Sequence, residues 1–141
     1  MYRRLSIVVA VVVAALTLAA LIGCVDDSAA LEGTLWRLSG WSLSSVDPAW
    51  VMITAGFADG QISGNSGVNS YSGPYKIGPK DVFSAGPLAG TLMAGEDAAM
   101  RAEAAYLKLL GEAKSFKVVG DTLTLSDRGG NESLIFERVQ K

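Results

Sequence analysis

Closely spaced turn signals divide the chain from Thr34 onward into short apolar segments. Asp59-Gly60 is typical of a type I′ hairpin turn, because both of its central residues need positive φ. Further turns are predicted at Gly78-Pro79, at Gly120-Asp121 and over Asp127–Asn131. Most segments between these turns have the length of strands rather than helices. The sequence therefore predicts a domain built mainly from antiparallel strands.

Alternating apolar residues mark the individual strands. One strand is predicted at Thr34–Leu38 and a second at Trp50–Thr54. Strand pairs are predicted across the first two of the turns, and the glycine-rich stretch 64–75 predicts bulges, bends or a loop. From Phe116 to Val139 the pattern predicts three strands joined as an antiparallel meander.

One segment, about 96–110, is predicted to be helical, because strong helix-forming residues dominate it. Glu96 and Asp97 complement the helix dipole in the first turn, and Gly111 is predicted to end the helix. Glu103 and Lys108 are predicted to be solvated. The stripe predicted to face the core consists of Ala99, Ala102, Tyr106, Leu109 and Leu110.

The first 23 residues are predicted to be a lipoprotein signal peptide. Arg3 and Arg4 precede the almost wholly apolar run Leu5–Ile22, and Leu21-Ile22-Gly23-Cys24 resembles a lipobox. Processing would remove residues 1–23 and make Cys24 the acylated N-terminus. The alternative is an uncleaved transmembrane anchor, since the run approaches the ~18 residues that suggest a span. Both alternatives place the folded part outside the cytoplasm.

Residues 24–33 are predicted to be a lipidated tether and residues 34–141 a single domain of common size. After loss of the leader the chain has 10 basic and 14 acidic residues, without a basic cluster. This balance disfavours nucleic acid as a partner and offers no polybasic membrane patch. With one cysteine the chain has no internal disulfide, so the core must provide its stability.

Several stretches, taken in their order and spacing, resemble the META domain family over about Leu35 to Arg138. They are Thr34–Leu38, Ile62–Tyr75, Thr91–Gly95, and Asp121–Leu125 followed by Phe136–Arg138. The resemblance implies a mainly β (α+β) fold: a small curved antiparallel sheet or partly open β-barrel packed against the helix. It also implies a link to envelope stress, heat-shock responses or secretion, with no agreed enzymatic activity.

The chain departs from the family pattern at two positions. Family members often carry cysteines where this chain has Val68 and Gly95. Both are absent, so a disulfide between these positions is impossible here. Within the motif, Asn69, Tyr71 and Tyr75 either line a recognition surface or maintain the fold. Turn formation and aromatic packing favour fold maintenance.

The composition argues against an enzyme. The chain has no histidine, which excludes Ser-His-Asp and Cys-His catalytic arrangements and any His-bearing metal site. No calcium-loop or P-loop motif occurs, so no metal or cofactor is expected. Carboxylates remain as candidates for acid/base chemistry, although most lie at predicted turns or helix ends. They are Asp47, Asp59, Asp81, Glu96, Asp97, Asp121, Asp127 and Glu132.

Three functional hypotheses remain. The first is an exported lipoprotein, held in the cell membrane or outer membrane by acylated Cys24, whose domain binds an envelope protein or has a structural role. The second is a carrier of small apolar ligands in the barrel interior. The third is a carboxylate-based hydrolase. The side chains that would line the carrier's pocket equally suit a filled core; they are Trp36, Trp41, Trp50 and Tyr71.

Overall fold

The computed structural model describes residues 27–43 and 46–141, so the predicted leader and Cys24 lie outside the described residues. The described part contains nine β-strands, one α-helix and short 3₁₀ turns at Asp27–Ala30 and Pro48–Trp50. No helix among these residues has the length and hydropathy needed to cross a membrane. The elements are β1 Thr34–Trp41, β2 Thr54–Ala58, β3 Gln61–Asn65, β4 Ser70–Gly78, β5 Val82–Ala85, β6 Ala89–Gly90, α1 Asp97–Glu112, β7 Ser115–Val119, β8 Thr122–Ser126 and β9 Glu132–Arg138.

Eight of the strands close into an antiparallel barrel. Their order is β3-β2-β1-β9-β8-β7-β5-β4, and pairing of β3 with β4 completes the ring. The mainly β class is therefore confirmed, and the barrel is closed rather than partly open. Closure removes the free edges that an open sheet would leave. The shortest pairing in the ring is between β5 and β7, which share the single register pair Val82–Ser115.

Side chains from opposite sides of the ring fill the barrel. Strands β4 and β9 lie four positions apart in either direction around the ring. The ring of Tyr106, from α1, packs edge-on against both Tyr71 of β4 (5.6 Å between centroids) and Phe136 of β9 (6.4 Å). Phe57 of β2 similarly reaches Phe83 of β5 at 6.4 Å. The helix is thus packed onto the barrel by an aromatic side chain that spans its interior.

Several turns and strands follow the sequence prediction. Asp59 (φ 54°) and Gly60 (φ 71°) both have positive φ in the hairpin between β2 and β3. The predicted meander is formed by β7, β8 and β9, with Gly120 (φ 58°) in its first turn. The pair Leu123–Phe136 illustrates why this region was predictable, because alternating apolar residues meet on the buried side.

Three predictions about local structure are wrong. Most of the segment predicted as a strand at Trp50–Thr54 is not strand. Trp50 ends the 3₁₀ turn Pro48–Trp50, in which the carboxylate of Asp47 accepts the Ala49 N–H at 2.9 Å. Ile53 forms only an isolated bridge with Ser66, and β2 begins at Thr54. The helix runs past Gly111, which does not adopt positive φ, and ends before Ala113. Leu31, in the predicted tether, is fully buried, so core packing begins before Thr34.

The glycine-rich stretch 64–75 is mostly strand rather than loop. Only the Ser66–Asn69 turn separates β3 from β4. Glycine is needed at position 64 because a Cβ there would lie 2.1 Å from the carbonyl oxygen of Thr54. The glycine therefore permits close approach of two backbones instead of marking a flexible segment.

Candidate functional site

A buried carboxylate joins the helix to the Ser66–Asn69 turn. Only 8% of Glu103 is exposed. Its Oε2 accepts hydrogen bonds from the N–H groups of Val68 (3.1 Å) and Asn69 (2.7 Å) and from the Ser66 hydroxyl (2.7 Å). Its Oε1 accepts one from Nδ2 of Asn69 at 2.7 Å. These four residues are called the Glu103 cluster below.

Asn69 extends the cluster to the segment that follows β6. Its Oδ1 accepts hydrogen bonds from the Thr91 hydroxyl (2.8 Å) and the Met93 N–H (2.7 Å). Its Nδ2 also donates to the Met93 carbonyl at 3.2 Å. The side chain of Asn69 therefore connects the turn, the helix and the chain leading into the helix.

The conformation of the turn explains how so many donors reach one oxygen. Gly67 has φ +127°, a value that L side chains rarely adopt, and its N–H donates to Oδ1 of Asn65 at 2.8 Å. The next two N–H groups then point to the same side and converge on Oε2 of Glu103. Converging backbone N–H groups of this kind form a concave site for an anion. The helix supplies that anion.

Glu103 is ionised at neutral pH. Burial raises the pKa of its carboxyl, but hydrogen bonds from the Asn69 side chain, the Ser66 hydroxyl and the two N–H groups lower it by more, so the pKa lies below its ordinary value. All these donors are neutral. The ion pairs found among the described residues, Lys108–Glu112 and Arg138–Asp121, do not involve Glu103. Within the described part of the chain, its negative charge is thus stabilised by neutral donors and not by a cationic side chain.

The prediction that Glu103 is solvated is therefore wrong, whereas Lys108 is exposed as predicted. A signal for the burial was present in the sequence. Glu103 lies four residues after Ala99, three before Tyr106 and seven before Leu110, which places it on the apolar stripe of the helix. A charged residue at a core-facing position indicates a buried hydrogen-bonding partner.

The structure brings Asn69 and Tyr71 to the same end of the barrel. The Tyr71 hydroxyl donates to the carbonyl of Thr54 at 2.9 Å and lies 2.6 Å from the hydroxyl of Tyr106. Burial raises the pKa of Tyr71 and Tyr106 above the ordinary tyrosine value, so both remain neutral. The two hydroxyls form a buried polar pair next to the Glu103 cluster.

Tyr75 lies at the other end of the barrel. Its N–H donates to the carbonyl of Gly60, and its hydroxyl donates to Oε2 of Glu32 at 3.0 Å. Burial, together with the hydrogen bond to Glu32 and the charge of that carboxylate, raises the pKa of Tyr75 to about 12. Asn69, Tyr71 and Tyr75 therefore do not line one common surface.

The residues proposed for the other functions are dispersed. Trp36 is buried, and the guanidinium of Arg138 lies 4.4 Å from the centre of its ring. Trp41 is half-buried and donates to the carbonyl of Val46 at 2.8 Å, whereas Trp50 is 86% exposed. The cleft that Tyr71 lines includes none of the three tryptophans among its described residues. In the described ranges, no three His, Cys, Asp or Glu side chains group closely enough to hold a metal ion.

The two positions where the family often has cysteine are neighbours in space. A Cβ placed on Gly95 would lie 3.4 Å from the Cβ of Val68. Cβ atoms joined by a disulfide are typically about 3.5–4.5 Å apart. The geometry for a bridge between the turn and the segment before the helix is therefore nearly present, although the thiols are absent.

Comparison with known proteins gives one family and several similar folds. The family profile of the META domain matches residues 29–140. An NMR structure of a protein from Burkholderia xenovorans is 27% identical, with a TM-score of 0.67, over 81% of this chain and 87% of that one. A second NMR structure is 20% identical, with a TM-score of 0.59, over 77% of this chain and 92% of that one.

A crystal structure of a DUF4847 family protein from Bacteroides vulgatus ATCC 8482 is 12% identical, with a TM-score of 0.58. It covers 82% of this chain and 99% of that one. At 20% and 12% identity, the last two structures indicate a shared fold alone. No curated protein matches the chain.

We predict that Glu103→Gln destabilises the fold by about 3 kcal/mol at pH 7. The side-chain NH₂ group of glutamine would replace one acceptor oxygen, and buried donors of the Glu103 cluster would then lack an acceptor. Folding lowers the pKa of Glu103, so its ionised carboxylate contributes to the stability of the wild type. This contribution is fully present above the ordinary glutamate pKa of about 4.3 and is lost as the pH falls through the pKa of Glu103 in the folded protein. Urea denaturation of both proteins between pH 7 and 3 measures this difference.

Glu112→Gln is the matched control, since Glu112 lies on the same helix but is exposed and only weakly paired with Lys108 at 3.9 Å. It should change stability by less than about 0.5 kcal/mol. Equal stability of Glu103→Gln and the wild type at pH 7, or a difference that grows towards acid pH, would contradict the account.

We further predict that the double variant Val68→Cys/Gly95→Cys forms a disulfide on oxidation. The short distance between the two Cβ positions favours the bond, and closing this loop should stabilise the fold by about 3–4 kcal/mol in the chain-entropy account. A thiol count and denaturation with and without reductant provide the measurement. The single variants are controls that should lose no thiol on oxidation, and a double variant that keeps both thiols after oxidation would refute the prediction.

Proposed function

Because this chain belongs to the META domain family, we propose that it is a lipid-anchored protein of the cell envelope whose domain is a non-catalytic binding and structural module. It is exported and held in the cell membrane or outer membrane, with a role in envelope stress or secretion. The observation that carries the proposal is the sequence Leu21-Ile22-Gly23-Cys24, in which the only cysteine closes an apolar leader.

The lipid provides the anchor. One acyl chain binds a bilayer only reversibly, at about 0.8 kcal/mol per buried methylene, whereas two chains hold a protein stably. A lipoprotein cysteine carries a diacylglyceryl group and so supplies two chains. The lone cysteine is thereby explained without an intermolecular disulfide or a reactive thiol.

The fold supports a defined orientation at the membrane. From Cys24 to buried Leu31 the chain can span at most about 25 Å. Glu32 accepts the N–H of Asp59 at 2.6 Å, which holds the start of the domain beside the Asp59-Gly60 hairpin. In the proposed arrangement this end faces the bilayer. The Ser66–Asn69 turn lies at the opposite end of β3, so in the proposed arrangement it faces away from the membrane.

The polar chemistry of the domain supports a non-catalytic role. Glu103 is the one buried carboxylate in the described part of the chain, and four hydrogen bonds hold it in place. An acid/base pair of carboxylates would require a second such group nearby. Aromatic contacts across the barrel occupy the interior that an apolar ligand would need. These observations favour the binding and structural module over the hydrolase and the carrier.

We predict that Cys24→Ser abolishes lipid attachment and leaves a precursor that retains Met1 to Gly23. Metabolic labelling with a lipid precursor, followed by mass measurement, distinguishes the processed lipoprotein from an uncleaved anchor. Thr17→Ser, a conservative change in the same leader, is the control and should remain labelled and processed. Label that persists on the serine variant, or a wild-type protein without label, would overturn the proposed anchoring.

A further inference from the structure

A cleft of about 230 Å³ lies beside the Glu103 cluster, between α1 and the chain at β6. Apolar side chains from both sides line it, namely Leu107 of the helix and Leu88 and Leu92 of the facing segment. Among the described residues that line the cleft, Glu103 is the only charged one. The cleft therefore combines leucine side chains on both sides with a single negative charge. Its lining also includes uncharged polar residues, namely Ser66, Asn69, Ser70, Tyr71 and Thr91.

The carboxylate retains capacity for one more donor. An ionised carboxylate offers about four lone-pair sites, two on each oxygen. Among the described residues, three donors reach Oε2 of Glu103, whereas Oε1 accepts one hydrogen bond, from Asn69. A cationic donor at Oε1 would also supply the positive charge that the neutral donors of the cluster lack, and charge-assisted hydrogen bonds are the stronger kind.

The size of the cleft restricts the ligand. At about 30 Å³ per water-sized group, 230 Å³ holds roughly eight non-hydrogen atoms. This is smaller than the roughly 300–1,000 Å³ of pockets for drug-sized ligands. A lysine side chain, with a four-carbon apolar stem and a terminal ammonium, fits within this volume. Its apolar stem and charged end also match the leucine side chains and the carboxylate of the cleft.

The backbone at the cleft suits a ligand carried on a polypeptide. The N–H of Thr91 donates to the carbonyl of Ser70 on β4. In an antiparallel pair, successive residues direct their backbone N–H and C=O groups alternately towards the partner strand and away from it. The N–H and C=O of Gly90, the preceding residue, therefore point away from β4. Gly90 is exposed and lines the cleft. Its backbone groups can therefore pair with an extended chain laid along β6, as in strand addition.

We infer that this cleft binds an alkylammonium group of lysine size, presented by an extended polypeptide segment. The ammonium donates to Oε1 of Glu103, the four-carbon stem packs between Leu88 and Leu107, and the segment's backbone pairs with Gly90. The inference does not depend on acylation of Cys24, so failure of the anchoring proposal and failure of this one are distinguishable.

The test uses the full chain in lipid nanodiscs and amide NMR at neutral pH and low salt. n-Butylammonium, which has the lysine stem and charge, should shift the amides of Gly90, Leu92 and Leu107. Uncharged n-butanol and anionic butyrate, of the same length, should bind at least tenfold more weakly. The peptide acetyl-Val-Lys-Val-amide should bind more tightly than n-butylammonium, and its norleucine analogue at least tenfold more weakly than the lysine peptide.

Two variants locate the site. Glu103→Gln should abolish the preference for the ammonium over the alcohol. Because this variant loses stability, Leu107→Trp is the second test, since it fills the cleft while leaving Glu103 and its donors in place. Leu109→Trp, on the same helix but outside the cleft lining, should bind like the wild type.

Binding of the ammonium that Leu107→Trp blocks and Leu109→Trp preserves would support the inference. If n-butylammonium binds but the lysine peptide does not, the ligand is a free amine and the assignment to a polypeptide is overturned. Equal affinity for ammonium, alcohol and butyrate, or shifts elsewhere on the barrel, would overturn the site itself.

Discussion

The hydrogen bonds of one carboxylate determine how the helix meets the barrel. Glu103 enters from α1 and accepts donors from the turn between β3 and β4. That turn also connects β3 directly to β4, two strands that pair as neighbours in the ring. A buried carboxylate without donors would be costly, since desolvation of a charge exceeds most single packing gains. The turn geometry and the helix position therefore depend on each other.

The surrounding structure reinforces this dependence. Asn69 accepts hydrogen bonds from Thr91 and Met93 and also donates to Glu103. One residue therefore holds both the carboxylate and the chain that leads into the helix. One helical turn further along, Tyr106 contacts Tyr71 and Phe136 on facing strands. Polar contacts at the rim and aromatic contacts inside the barrel thus fix the same helix. Positions 68 and 95 carry no cysteines, so these non-covalent contacts hold the turn to the segment before the helix, which a disulfide would otherwise join.

The parts of the fold governed by local chemistry were predictable from the sequence. Asp59-Gly60 requires positive φ, and alternating residues such as Leu123 and Leu125 define one buried side of a strand. Gly64 was misjudged because its cause is the close approach of Thr54, ten residues away, which a local pattern does not contain. The pairing of β1 with β9 likewise joins strands that are distant in sequence, such as Leu38 with Phe136, and no local pattern contains it.

The candidate site was predictable only in part. Asn69 and Tyr71 were singled out from the motif, and both lie at the barrel end that holds the Glu103 cluster. Glu103 itself was missed because helical charges are usually solvated, although its position on the stripe with Tyr106 indicated burial. The donors that stabilise it come from a turn more than thirty residues earlier, so no helix pattern alone reveals them.

Glu103 is an ionised group held by the Ser66–Asn69 turn. A ¹³C NMR titration of its side-chain carboxyl measures this directly in the folded protein. We predict a pKa below the ordinary glutamate value of about 4.3, because the hydrogen bonds to the carboxylate lower the pKa by more than burial raises it. A pKa at or above that value would contradict it, since the carboxyl would then titrate without the stabilising hydrogen bonds on which the helix–turn connection depends.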